Sequence, residues 1–211
     1  ETLVGYGGED WDLAYRCWQA GARFTHVPGA GAWHDGPDLA GRSATRAVKD
    51  AETLALARRI PLRSTRGSGV AFAQPWAVVQ VHGHDDAAEA YLTAAHVLRD
   101  TDAGVWFVDR AEVPDALAED PRIRIGAPPQ NVLDRAVVLA DVHAPLTLDV
   151  PLRRWSERGE THVPGLLTVR SVRAVNRAES NPVDVDPDDP QVPVHAADTA
   201  RRLEDRVGHD H

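Results

Sequence analysis

The alternation of short apolar runs with helical patterns between residues 75 and 178 constrains the fold most. Residues 76–82 form a compact apolar run with β-branched members, which is typical of a buried strand, and residues 87–99 then carry apolar positions at helical spacing. Further strands are predicted at 105–108 and 122–125. Strands that alternate with helices favour parallel βαβ units joined by right-handed crossovers. We therefore predict an α/β protein with a Rossmann-like unit, in which ligands bind beyond the carboxyl ends of the strands.

A glycine pair followed by two carboxylates, Gly7-Gly8-Glu9-Asp10, stands near the start of the chain. Glycine leaves the backbone free for a tight turn, and acidic side chains are favoured where a helix begins. A helix is predicted from there to a stop at Gly21, followed by extended segments at 23–27 and 30–34. The apolar positions Trp11, Ala14, Cys17 and Trp18 recur there at helical spacing, which indicates an amphipathic helix. The carboxylate pair and the imidazole of His34 can then converge on one pocket.

These residues resemble the C-terminal catalytic segment of family two inverting glycosyltransferases, which have the GT-A fold. The resemblance rests on Gly-Gly-Glu-Asp-x-Asp-Leu-x-x-Arg at 7–16, on Ala-Gly after the helix, on a Val-Pro step, and on a histidine 24 positions after the second acid, from Asp10 to His34. The aromatic-Gly-Gly-Glu-Asp opening is also similar to the galactosyltransferase C-terminal motif. The resemblance covers about residues 1–40.

The resemblance implies inverting transfer of a sugar from a nucleotide-sugar donor, a UDP-sugar, to a glycan or other hydroxyl acceptor, as in polysaccharide biosynthesis. A carboxylate within hydrogen-bond reach of a sugar hydroxyl can take its proton as the hydroxyl attacks. A divalent metal, Mg or Mn, can neutralise charge on the departing diphosphate. By the resemblance, Asp10 is the general base, His34 is a metal ligand, and the acceptor-binding residues are Glu9, Trp11 and Gly8.

Each of these features has a simpler explanation when it is taken alone. Acidic residues before a helix often only cap it, and a histidine after a strand is commonly structural. Their combination at a fixed spacing favours a glycosyltransferase-derived segment, with His26 as the rival imidazole to His34. Two alternatives stay open: a non-catalytic glycosyltransferase-derived scaffold, and a Rossmann-like nucleotide-binding protein of unrelated chemistry, which would leave Glu9 and Asp10 unexplained.

The middle of the chain offers weaker donor-site signals. Asp109 follows the second predicted strand, where a uridine-contacting acid is expected in such folds. Asp-x-Asp does not follow a predicted strand there, and Asp184-Val185-Asp186 lies in a Pro- and Asp-rich stretch. Glycine-rich phosphate loops are also absent from the sequence. We therefore interpret this unit as a degenerate or accessory GT-A-like half. The only basic cluster before it, Arg58, Arg59, Arg63 and Arg66, could meet a diphosphate or lipid phosphate, but a solvated basic loop is the favoured interpretation.

The predicted organisation has four parts: an acceptor and catalytic-base segment with its following helix (1–59), a linker (60–74), a Rossmann-like unit (75–178), and an acidic, proline-rich tail with a terminal helix (179–211). The net charge of −9 argues against a nucleic-acid partner, and no apolar run approaches the length of a membrane span. We expect a cytoplasmic protein, or a peripheral one at the inner face of a membrane. The chain lacks methionine altogether. We therefore expect it to be a piece of a longer polypeptide, with the donor-binding half either upstream or on a partner chain.

Overall fold

The computed structural model describes residues 8–33, 35, 46–67, 69–157, 159–178, 182–186, 189 and 191–197. The strands in these ranges are β1 (Ala77–Val81), β2 (Ala103–Phe107), β3 (Ile123–Ile125), β4 (Val138–Val142), β5 (Leu146–Leu148), β6 (Glu160–Val163), β7 (Leu167–Ser171), β8 (Val183–Asp184) and β9 (Val194–Ala196). The helices are α1 (Glu9–Gln19), α2 (Arg46–Arg59), α3 (Ala87–Leu98), α4 (Gln130–Leu133), α5 (Leu152–Ser156) and α6 (Val172–Asn176), with a 3-10 helix at Asp115–Leu117.

The main sheet orders its described strands β3-β2-β1-β4-β7-β6-β8. Strands β1 to β4 run parallel to one another, β7 is antiparallel to β4, and β6 is antiparallel to β7. The chain leaves β1 towards β2 and β3 on one side and returns to β4 on the other side. The strand order therefore reverses between β1 and β4, which is the topological switch point of a Rossmann-like sheet. The predicted α/β class is confirmed, whereas the GT-A assignment stays a prediction.

Apolar sequence explains why the two central strands form. Every residue of β2 is buried, and β1 is buried except at its half-buried Gln80. Strands covered on both faces require such near-continuous apolar runs. Helix α3 is capped by Asp86, whose carboxylate accepts hydrogen bonds from the backbone N–H groups of Ala88 and Glu89. The helix packs its apolar face on the sheet. The largest fully buried side chains of the main core include Phe107, Leu146, Leu148, Leu152 and Leu167.

The first helix forms as predicted but turns a different face inward. Its buried residues are Asp12, Tyr15 and Gln19, whereas Trp11 is 66% exposed. The apolar spacing therefore does not mark the buried face of this helix. The predicted strand at 23–27 is wrong, because residues 22–33 form no strand and residues 23–33 are all exposed. Between β2 and β3, Asp115–Leu117 forms a single 3-10 turn.

Polar contacts explain this orientation of α1. The Tyr15 hydroxyl donates to the backbone carbonyl of Arg135 at 2.6 Å, and the Gln19 amide donates to that of Ala136, also at 2.6 Å. Arg135 pairs with the Asp12 carboxylate at 2.9 Å. Burial alone would raise the pKa of the Asp12 carboxyl, but Arg135 and Arg16 hold it below its ordinary value. These contacts fasten α1 to the chain just before β4.

Helix α6 adds a second set of contacts to the carboxyl end of α1. The Asn176 amide donates to the backbone carbonyl of Gln19 at 2.8 Å. Arg173 donates to the carbonyl of Trp18 and lies over its ring, 4.8 Å from the centroid.

The segments around the Rossmann-like unit also supply buried residues. Ile60, Arg66 and Gln74 are buried within the predicted linker. Strand β9 pairs antiparallel with β5 and brings Val194 into the main core from the predicted tail. The predicted terminal helix lies outside the described residues. Among the helices that the structure describes, none combines the length and the apolar character required to cross a membrane.

Candidate functional site

The amino end of α1 presents the predicted acceptor residues together. Gly8 precedes the helix with a left-handed backbone (φ 81°), which favours glycine, and a Cβ there would lie 3.3 Å from the Leu56 side chain. Glu9 and Asp10 occupy the first turn and are exposed, as is the neighbouring Trp11. Within the described residues, Asp10 makes no hydrogen bond or ion pair. The carboxylate proposed as the base is thus accessible to a ligand.

The histidine predicted to complete this site, His34, is not among the residues that the structure describes. Its convergence with Asp10 and its role as a metal ligand therefore stay predictions. The rival His26 is exposed on the irregular segment after α1.

A second polar cluster lies at the switch point of the sheet. The pairing of β1 with β4 sets Val81 opposite Val142, so the next residues, His82 and His143, lie side by side. Their rings stack with centroids 5.6 Å apart and planes 17° apart. His143 is exposed and His82 is half-buried. Together they present a flat aromatic surface at the edge where Rossmann-like sheets bind ligands.

Two carboxylates flank His82 on opposite sides of its ring. Nδ1 lies 3.6 Å from Asp109 Oδ2, and Nε2 lies 3.8 Å from Asp141 Oδ1. Asp141 is only 16% exposed and is held by Arg170 at 2.7 Å and by the Gln80 amide at 3.0 Å. Asp109 is 60% exposed, and its Oδ2 accepts the backbone N–H of Gly83 at 3.2 Å. Asp109 therefore has open acceptor capacity for a ligand, whereas Asp141 is committed to internal contacts.

The loop after β1 differs from a dinucleotide phosphate loop in one decisive respect. Such loops place the pyrophosphate on the free N–H groups at the start of the following helix. Here the Asp86 carboxylate already accepts the N–H groups of Ala88 at 2.8 Å and Glu89 at 3.0 Å. A phosphate at the start of α3 would compete with this carboxylate and meet its negative charge. The switch point thus suits an uncharged aromatic ring with hydroxyl groups better than it suits a diphosphate.

His84 supports this loop from inside the protein. Its Nδ1 faces the backbone carbonyl of His82 at 2.7 Å, so Nδ1 carries the proton and donates. Its Nε2 then accepts from the Thr93 hydroxyl at 2.9 Å, and that hydroxyl accepts the N–H of Leu146 at 3.2 Å. The neutral imidazole satisfies every contact. Burial accordingly lowers the pKa of His84 below its ordinary value.

We expect His84 to make the protein less stable in mild acid. Its pKa is lower in the folded state than in the unfolded chain, so unfolding takes up a proton once the pH falls below the unfolded value of about 6.5. The contribution is fully present above that pH and declines below it by up to about 1.4 kcal/mol per pH unit. Urea unfolding of wild type and His84→Gln at pH 7.5, 6.5 and 5.5 measures this slope.

The slope should be shallower in His84→Gln and unchanged in a control, His26→Gln, whose side chain is exposed. Equal slopes in wild type and His84→Gln would contradict the assignment of a buried neutral imidazole.

The side chains that the structure describes do not define a metal site. In the ranges that the structure covers, no group of three or more His, Cys, Asp or Glu residues is arranged to hold a metal ion. At the switch point the reason is geometric, since Asp109 and Asp141 face opposite nitrogens of His82 and do not converge. The expected Mg or Mn stays a prediction tied to His34.

Sequence reasoning found Asp109 but missed the stacked pair His82 and His143. A signal was present, because each histidine directly follows an apolar strand and the carboxyl ends of parallel strands share one edge of a sheet. Arg170 carried no such signal, since its contact with Asp141 depends on β7 pairing antiparallel with β4.

Comparison with known proteins assigns no family to this arrangement. No protein-family model matches the sequence, and a search of curated proteins finds no match.

Proposed function

We propose that the chain is part of an inverting glycosyltransferase that transfers a sugar from a nucleotide-sugar donor to a hydroxyl acceptor. The observation that carries this proposal is the exposed group Glu9, Asp10 and Trp11 at the amino end of α1. It coincides with the sequence that resembles the catalytic segment of family two enzymes. Helix α1 is fastened through Tyr15 and Gln19, so Glu9, Asp10 and Trp11 can present a fixed geometry to an acceptor.

The residue types suit direct displacement at the anomeric carbon. The exposed indole of Trp11 offers an apolar face on which a sugar ring can stack. Glu9 orients the acceptor hydroxyl, and Asp10 takes its proton as the new glycosidic bond forms. The nucleoside diphosphate departs with its electron pair, and a divalent metal bound with the donor, with His34 as one ligand, would neutralise its charge.

The Rossmann-like unit acts in this proposal as an accessory half. Asp86 fills the phosphate position at the start of α3, so we place the diphosphate of the donor elsewhere in the full-length protein. The unit supplies instead the carbonyl groups of Arg135 and Ala136, which hold α1. In this proposal the unit therefore supports α1 and does not itself bind the donor.

A second candidate function is nucleoside binding at the switch point. It is favoured by the stacked imidazoles of His82 and His143, which could receive a base, and by the open carboxylate of Asp109, which could accept ribose hydroxyl groups. A site of this kind would not need a metal. It would also bind uridine and UDP about equally, since the phosphate position is occupied by Asp86.

Calorimetric titration of the full-length protein with UDP and with uridine, each with and without manganese, separates the candidates. Sugar transfer predicts UDP binding that depends on manganese and exceeds uridine binding. A nucleoside site predicts equal, metal-independent binding of both ligands that is weakened about tenfold or more by Asp109→Asn, with exposed Asp115→Asn as control. Failure to bind either ligand would favour the non-catalytic scaffold and contradict the enzyme.

A further inference from the structure

An irregular arm, residues 22–33, follows α1 on the surface of the protein. It contains neither helix nor strand, and every one of its residues is exposed. Its base is held by α6, because the Arg173 guanidinium donates to the backbone carbonyl of Ala22 at 3.1 Å. A turn divides it into two limbs, closed by a hydrogen bond of 3.0 Å from the N–H of Ala30 to the carbonyl of Val27. The arm is therefore anchored at one end and reverses direction along its length.

Both limbs expose large apolar side chains. Trp33 is 104% exposed, so it makes almost no contact with the rest of the protein, and Phe24 and Val27 are 64% and 58% exposed. Within the described residues, Trp11 is the only other aromatic side chain that is exposed. Single exposed apolar residues are ordinary, but three in a segment of this length mark a contact surface. Their removal from water would be favourable roughly in proportion to the apolar area that is covered.

The arm is also a local exception to the acidic character of the chain. The net charge is −9, yet the sequence has no acidic residue between Asp12 and Asp35. Asp12 is already paired with Arg135 at 2.9 Å. The arm itself carries Arg23 and His26, both exposed. Because charges are screened over about 10 Å at 0.1 M salt, this local composition governs what the arm can approach, and it favours a negatively charged surface.

A lipid surface fits this combination better than a folded protein does. Proteins commonly recognise a partner segment through a strand edge or a helix face, and the arm presents neither. A bilayer interface requires no regular backbone. It favours apolar area, aromatic rings that lie between hydrocarbon and water, and positive charge close to anionic head groups. The arm supplies all three.

We propose that the arm binds the surface of an anionic lipid bilayer. Phe24, Val27 and Trp33 enter the interfacial region, and Arg23 lies close to the lipid phosphate groups. The strength of such binding depends on the apolar area that is buried and on the attraction to anionic lipids. The proposal is independent of sugar transfer, because lipid binding needs neither donor nor acceptor and uses none of the residues at the amino end of α1.

The test is cosedimentation of the full-length protein with two kinds of vesicle. One is phosphatidylcholine alone, and the other is phosphatidylcholine and phosphatidylglycerol in equal parts. An aromatic variant, Phe24→Ser with Trp33→Ser, removes the main apolar contact. The matched control is a valine variant, Val175→Ser with Val183→Ser, at residues that are 44% and 41% exposed and lie outside the arm.

We expect the wild type to bind the mixed vesicles more tightly than phosphatidylcholine alone. Its dissociation constant for the mixed vesicles should rise about tenfold or more in the aromatic variant and less than about twofold in the valine variant. Circular dichroism and thermal unfolding establish that each variant is folded. Absence of binding by the wild type, unchanged binding by the folded aromatic variant, or an equal loss in the valine variant would overturn the proposal.

A single substitution, Arg23→Gln, separates the charge of the arm from its apolar contacts. It should weaken binding to the mixed vesicles by about twofold to fivefold and leave binding to phosphatidylcholine alone unchanged. Arg154→Gln, at a residue that is 70% exposed on α5, is the control and should change neither. Equal effects of Arg23→Gln on the two kinds of vesicle would contradict the role of charge.

Sedimentation velocity without vesicles tests whether a second copy of the chain covers the arm instead. We expect the wild type and the aromatic variant to sediment alike. A wild-type dimer that dissociates in the aromatic variant would assign the arm to self-association and overturn the proposal.

Discussion

Replacing Asp10 with asparagine should lower sugar transfer by the full-length protein by a factor of about 100 to 10,000, which is the usual contribution of a general base. Asparagine keeps the size of the side chain but cannot take the proton from the acceptor hydroxyl. Asp10 is exposed in the first turn of α1, so the free energy of unfolding should change by less than about 1 kcal/mol. Initial rates of nucleoside diphosphate release, with unfolding curves for both proteins, measure the two effects.

Two further variants make this result specific. Asp115→Asn changes another exposed aspartate that begins a helical turn, and its turnover should match that of the wild type. Donor binding by Asp10→Asn should be largely intact, since the proposed role of Asp10 concerns the acceptor. Turnover retained in Asp10→Asn would remove this carboxylate from the mechanism.

Replacing Phe107 with alanine should have the largest effect on stability, about 3 to 5 kcal/mol. Phe107 is fully buried at the carboxyl end of β2, where it pairs with Val81 of β1 and Ile125 of β3. Its ring also meets the His84 ring edge-on, 6.5 Å between centroids. The cavity left by its removal would lie beneath the loop that carries His82 and Gly83. Urea unfolding at pH 7.5 measures the loss.

The matched control for this substitution is Phe24→Ala. Phe24 is 64% exposed on the irregular segment after α1, and its removal should change the free energy of unfolding by less than about 0.5 kcal/mol. Similar losses in the two variants would contradict the placement of the core around β2.

The central strands could be predicted because local sequence and burial agree there. The apolar run at 76–82 became β1, and the helical spacing at 87–99 became α3, since both features need only neighbouring residues. Strand β6 and helix α5 escaped prediction because short, mixed segments carry too little periodicity. Both elements contact β7, which is separated from β1 by β4 in the sheet. Their formation therefore depends on tertiary contacts rather than on local sequence.

The candidate sites were predictable only in part, for a related reason. Glu9, Asp10 and Asp109 were accessible to motif reasoning because each stands at the start of a helix or after a strand. The face of α1 was not, because hydrogen bonds to carbonyl groups more than a hundred residues away override its apolar spacing. Arg66 was interpreted as part of a solvated basic loop, because its burial depends on contacts with Asp102 and Phe72 that its own segment does not announce.

The anomeric configuration of the product tests inverting sugar transfer most directly. The full-length protein would be incubated with UDP-α-linked sugars and a panel of hydroxyl acceptors, and the new linkage read from proton NMR coupling constants. Direct displacement with Asp10 as the base predicts a β-linked product from the wild type and almost none from Asp10→Asn. An α-linked product, or equal product from both proteins, would contradict it.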